Sequence, residues 1–217
     1  MTLEELFANN WQFANATQHA GETRHEPDLV TVSCCDARVP QDTIFGTAPG
    51  ENFTVAQIGN VVETRDTNGE PILSGSLLYP IEKTSPTAVI IVGHTDCGAV
   101  TAAFSQASEG TDPESTELQN ELDLLLPTIR DGLRVIDSDQ FSADEQITRL
   151  VEYNVDRQVE ALVAHDIDIP VVGVVCDLHG FYDGKPRQCH LINYEGDRHR
   201  DEMPEQIRSN FQRHLVY

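Results

Sequence analysis

Ala88-Val89-Ile90-Ile91-Val92-Gly93-His94-Thr95-Asp96-Cys97-Gly98 is an apolar, mostly β-branched run that gives way at once to a histidine and a cysteine. Residues 88–92 have the length and composition of a strand buried on both faces, which Gly93 is expected to end. Ala99 to Phe104 is expected to begin the helix that follows, and Ser105 to Thr116 reads as a polar surface loop.

The same arrangement occurs earlier. Leu29-Val30-Thr31-Val32-Ser33 reads as a buried strand, and Cys34-Cys35-Asp36-Ala37-Arg38 follows it. Further runs fit the pattern: a strand at Phe53 to Ala56, a helix at Leu73 to Glu82, and a helix at Leu118 to Leu133 despite Pro127. Another helix, capped by Ser142, should run to about Ala164, before a strand at Pro170 to Val175. Asp183-Gly184 suits a tight hairpin turn returning through an edge strand at His190 to Tyr194, and the acidic C-terminal region is expected to add a helix. Strands alternating with helices predict an α/β fold with a mostly parallel central sheet flanked by helices, ending in a C-terminal hairpin with an edge strand. Residues 1–217 read as a single domain with an N-terminal helical arm, Met1 to about Ala20, carrying Leu3, Leu6, Phe7, Trp11 and Phe13.

In such sheets, ligands bind beyond the carboxyl ends of strands where the strand order reverses. If the strands before Cys34 and His94 are neighbours, then Cys34, His94 and Cys97 meet at one edge. Two thiolates and a neutral imidazole suit Zn²⁺, and three protein ligands leave a fourth position open to water, whose acidity the metal raises. Cys97 at a helix start feels the positive end of the helix dipole, which favours the metal-binding thiolate. Asp36 could close the site as a fourth ligand. Held instead by Arg38 in a bidentate pair, it would accept a hydrogen bond from the water and leave the site open.

Composition narrows the rest. The 36 acidic and 14 basic residues give a formal net charge of -22, which repels nucleic acid and anionic membranes. The acidic excess is spread along the chain and reads as a solvated surface. Lys83 and Lys185 are the only lysines, which fits a protein working in concentrated salt, where counterions screen self-repulsion. A thermal midpoint that rises from low to multimolar salt is expected, and one indifferent to salt would count against this reading. No basic stretch followed by an apolar one opens the chain, and no run has the length of a membrane span. With an odd count of 5 cysteines, metal ligands and free thiols are favoured over a disulfide framework, and a cytoplasmic location is expected. Cys176-x-x-His179 and Cys189-His190 read as buried thiols and turn histidines rather than a second metal site, because adjacent strand residues face opposite ways. Cys35, by the same alternation, is expected to pack in the core.

Cys34-x-Asp36-x-Arg38 followed by His94-x-x-Cys97-Gly98 resembles the β-class carbonic anhydrases. Gly50-Glu51-Asn52-Phe53 and Gly59-Asn60 are similar to the family's intervening motifs, and the resemblance is good over residues 25–104 and loose beyond. It implies zinc on Cys34, His94 and Cys97, with Asp36 and Arg38 as the catalytic dyad. It also implies an apolar CO₂ pocket of Phe53, Ile58 and Tyr79, and a product oxygen met by the Gly98 N–H. His25 stands where many members carry a glutamine that bonds bicarbonate. Ala56-Gln57 departs from the family's usual Arg-Asn, and Cys35 is an extra thiol. The reading that follows is reversible hydration of CO₂ to bicarbonate and a proton by a homodimer or higher homo-oligomer. Two others remain open: a hydrolase of carbonyl sulfide or carbon disulfide on the same zinc site, and a non-catalytic zinc-binding structural or regulatory protein. The Asp36–Arg38 pair argues against the last, since a structural site needs neither.

Overall fold

The structure, a computed structural model, describes residues 1–16, 26–136 and 140–215. Five strands form the main sheet: β1 (Leu29–Ser33), β2 (Asn52–Ala56), β5 (Ala88–His94), β6 (Val171–Asp177) and β7 (Gln188–Tyr194). Their order is β2-β1-β5-β6-β7, parallel except for β7, which runs antiparallel beside β6. The chain leaves β1 toward β2 on one side and returns to β5 on the other. The ends of β1 and β5 therefore flank the crevice expected at a switch in strand order. Val30, Val32, Val89 and Ile91 are wholly buried, as continuous β-branched runs in a doubly covered sheet require.

Helices α1 (Leu3–Ala16), α2 (Gln41–Phe45), α3 (Gly75–Lys83), α4 (Gly98–Glu109), α5 (Thr116–Val135) and α6 (Ala143–Val163) complete the fold. Ser142 and Glu145 cap α6 reciprocally, each side chain bonding the other's backbone N–H. Pro127 lies inside α5 and cannot donate to the Asp123 carbonyl four residues back. Arg65 Nη2 fills that vacancy, donating to Asp123 O at 3.2 Å, so the helix continues. α6 lies close on β5 because residue 93 is glycine: a Cβ there would stand 2.6 Å from Val155 Cγ2. Among the described residues no helix is long and apolar enough to cross a membrane.

Several expectations are corrected. Gly93 does not end β5, which keeps its pairing with β6 through His94. α4 runs on to Glu109, past the expected loop start, and is closed by Gly110 in the left-handed conformation. A second, two-stranded sheet joins β3 (Glu63–Arg65) to β4 (Pro71–Leu73). The β6–β7 connection is not a two-residue turn. It spans residues 178–187 and is organised by Asp177, whose carboxylate accepts from the backbone N–H of His179, Gly180 and Tyr182. The C-terminal region makes short 3-10 turns, Arg200–Glu202 and Arg208–Asn210, where a helix was expected. Pro204 lies between them and removes a helical donor. That region is tied down by buried acids of α6 instead: Glu152 accepts from the N–H of His214 and Leu215, and Asp156 pairs with Arg213.

Candidate metal centre

Cys34 follows the last residue of β1, His94 ends β5, and Cys97 caps α4. Because β1 and β5 are paired in register, Ser33 against Val92, these residues converge at the carboxyl end of the sheet. Their ligand atoms all lie within 4.8 Å of one another, and the three side chains are buried. The Cys97 thiol donates to Cys34 Sγ at 3.8 Å. That hydrogen bond pulls Cys34 well below the ordinary thiol range and pushes Cys97 up. The N–H groups of Ala99 and Val100, in the first turn of α4, favour the Cys97 thiolate against this trend.

His94 Nδ1 lies 3.0 Å from the Thr95 carbonyl, to which it donates as Nδ1–H. Nε2 is then the bare nitrogen. It is fully buried and, among the described residues, has no hydrogen-bond partner, and Asp36 Oδ2 is 3.7 Å away. A buried imidazole nitrogen left unsatisfied among two sulfurs is costly in a folded protein and is what a metal would satisfy. Two thiols and an imidazole fit zinc.

Asp36 does not turn onto these ligands. Its Oδ1 accepts from Arg38 N at 2.8 Å and Nε at 3.0 Å, and its Oδ2 accepts from Nη2 at 2.7 Å. These bonds bring its carboxyl down to about 2, so it is ionised at neutral pH. Arg38 is gripped from its other side as well. Nη1 donates to Asp96 Oδ2 at 2.6 Å and Nη2 to the Asp96 carbonyl at 2.9 Å. Asp96 in turn meets His179 Nε2 at 3.2 Å.

Asp96 and His179 were not foreseen. Asp96 sits between two ligands in the motif, but its role depends on a backbone φ of 57°, an αL conformation that aspartate tolerates and sequence does not announce. His179 comes from the β6–β7 connection, which no local pattern brings to β5. Thr95 adds a further support: buried, it donates to Asp177 Oδ1 and accepts from Leu178 N, fixing the carbonyl that orients His94.

Phe53, Ile58 and Tyr79 share a groove of about 880 Å³, with the Phe53 and Tyr79 rings 6.2 Å apart. Cys34 and Asp36 line a neighbouring crevice of about 440 Å³, and the two adjoin at Cys35, Thr54 and Ala56. Cys35 is exposed at this junction, not packed in the core, because β1 ends at Ser33 and strand alternation no longer applies. Gly98 opens α4 with nothing within 4 Å of where a Cβ would stand. His25 lies outside the described residues.

The carbonic anhydrase family profile matches residues 29–180, more than half of the chain. A carbonic anhydrase of Helicobacter pylori is 31% identical over 139 residues, covering 64% of this chain and 62% of that protein. Carbonic anhydrase 2 of Mycobacterium tuberculosis is 28% identical over 116 residues, covering 52% of each. The chain thus spans less than two thirds of these relatives' own length. Among solved structures, a β-carbonic anhydrase of Aspergillus fumigatus superposes with a TM-score of 0.65 at 24% identity, covering 97% of this chain and 95% of that one. One of two tetrameric β-carbonic anhydrases of Sordaria macrospora gives 0.64 at 22%, covering 80% and 90%. The matched span runs from the strand that delivers Cys34 to the connection that delivers His179, and the chain belongs to the β-class carbonic anhydrase family.

Proposed function

We propose that this chain catalyses the reversible hydration of CO₂ to bicarbonate and a proton at a zinc ion held by Cys34, His94 and Cys97. When bound, zinc supplies Lewis acidity that makes water a nucleophile near neutral pH. The observation that carries the reading is the grip of Arg38 on Asp36. It keeps an ionised carboxylate beside the ligand cluster, free to accept a hydrogen bond from the attacking water and turn its lone pair toward carbon. Asp96 holds Arg38 in place, and the Gly98 N–H meets a product oxygen. Phe53, Ile58 and Tyr79 furnish the apolar surface for CO₂. A purely structural zinc site has no use for such an arrangement.

The test is stopped-flow CO₂ hydration with zinc measured in parallel. Asp36→Ala is expected to keep its zinc and lose on the order of 100-fold in rate, the scale typical of residues that orient a metal's ligands. Full activity in that variant would remove Asp36 from the mechanism. Turnover of carbonyl sulfide with none of CO₂ would transfer the same residues to the sulfur substrate.

The active form is a homo-oligomer. Leu3, Phe7, Trp11 and Phe13 on α1 are all more than half exposed, an apolar load that a second copy of the chain would cover. Sedimentation velocity should show a dimer or a multiple of it, and a stable monomer would overturn this.

A further inference from the structure

The chain holds a second pair of thiols that the proposed reaction does not use. Cys176 on β6 and Cys189 on β7 are register partners, directly opposite one another in the antiparallel pair. Opposite residues there point to the same face, with Cα atoms about 4.5–5.5 Å apart. That range lies inside the window of about 4.4–6.8 Å that a disulfide spans without moving the backbone. The Cys176 thiol donates to the Arg187 carbonyl at 3.7 Å, at the start of the segment that carries Cys189. Cys176 is fully buried, and Cys189 is half-buried on an edge strand. An oxidant therefore meets Cys189 first.

A metal is not what the pair awaits. Among the described residues the one cluster of three ligand side chains is Cys34, His94 and Cys97. The nearby histidines are turned elsewhere: His190 stacks on the Tyr182 ring at 4.6 Å, and His179 meets Asp96.

We propose that Cys176 and Cys189 are a peroxide-sensitive dithiol that closes to a disulfide stapling β7 to β6. One thiol of the pair, as its thiolate, attacks hydrogen peroxide, breaking the O–O bond to give a sulfenic acid and hydroxide. The other, as its thiolate, then attacks that sulfur, forming the S–S bond and expelling a second hydroxide. The two thiol protons convert both hydroxides to water, so two thiols and one peroxide yield one disulfide and two waters. The staple lies next to the metal centre in the sheet. Cys176 is the register partner of His94, and its carbonyl accepts from Thr95 N at 3.1 Å. Closing it fixes the strand against which His94 is aligned.

The test uses the full zinc-loaded chain carrying Cys35→Ser, so that the exposed thiol cannot react. After brief hydrogen peroxide treatment under native conditions, remaining thiols are alkylated and the peptides mapped by mass. A Cys176–Cys189 linked peptide is expected, lost on treatment with dithiothreitol and absent when Cys189→Ser is added. The linked protein should melt above the reduced one, as a cross-link in the native geometry requires. Three results would each overturn the proposal. One is Cys189 oxidised to sulfinic or sulfonic acid with Cys176 still alkylatable. Another is both thiols unreacted, or a link between Cys34 and Cys97 in their place. The third is a linked protein that melts below the reduced form, since the bond would then have been made by distorting the strands.

Discussion

Replacing Cys97 with alanine is expected to strip the chain of zinc and bring CO₂ hydration down to the uncatalysed rate. The argument is one of ligand count. Cys34 and His94 alone are a two-coordinate remnant, and a catalytic zinc needs three protein ligands with one position open. Cys97 is also the ligand whose loss nothing nearby repairs. The Asp36 carboxylate approaches the cluster, Oδ2 lying 3.7 Å from His94 Nε2, but Arg38 holds it by its side chain and its backbone N–H. Recruiting it to the metal would break those bonds. Zinc content after dialysis against a weak chelator, with stopped-flow turnover on the same sample, checks the expectation. Cys35→Ala is the control: that thiol is exposed beside the groove and should leave both readings unchanged. A Cys97→Ala protein that keeps stoichiometric zinc would mean a different ligand set, and the proposed chemistry would have to be rebuilt on it.

What made the centre legible was the coincidence of two short motifs with two strand ends. Continuous β-branched runs at residues 29–33 and 88–92 identify strands whose burial leaves them little freedom, and ligands placed just beyond them are carried to one edge by the parallel topology. The elements that escaped notice are those whose pattern is polar or non-local. β3 and β4 are three residues each and, Leu73 aside, half-buried or exposed, and among the described residues they pair with each other, although Asn68-Gly69 between them is a turn signal. The expected C-terminal helix rested on acidic composition, whereas the observed conformation is set by Glu152 and Asp156, more than fifty residues earlier on α6. The grip of Asp96 on Arg38 was hidden for the same reason. Each residue was in view, but their meeting depends on how the ends of β1 and β5 fall side by side.

Asp156→Ala is expected to destabilise the fold by about 3–5 kcal/mol, the range for breaking a buried ion pair by removing one partner. Asp156 is fully buried and Arg213 is 6% exposed, with Nη2 to Oδ2 at 2.9 Å. Asp156 Oδ1 also accepts from Asn193 Nδ2 at 2.7 Å, which joins α6 to β7. Removing the carboxylate takes a charged partner from the guanidinium, while the carbonyls of Ile192 and Leu215 still accept its hydrogen bonds. Exposed pairs on this surface, such as Arg134 with Asp131, should cost far less when broken, because water already screens them. The measurement is urea unfolding of the zinc-loaded protein, in which the midpoint should fall with little change in slope. A double variant, Asp156→Ala with Arg213→Met, distinguishes lost charge pairing from lost packing. If the charge dominates, removing it should recover much of the loss, and if the double variant is no better than the single, the cost lies in the Asn193 contact and the cavity. The consequence for the metal centre is indirect but definite. Val155, next to Asp156 on α6, is the side chain that packs over Gly93, one residue before His94. A C-terminal segment released from α6 therefore loosens the helix that backs the ligand strand, and zinc should leave Asp156→Ala at a lower urea concentration than it leaves the parent chain.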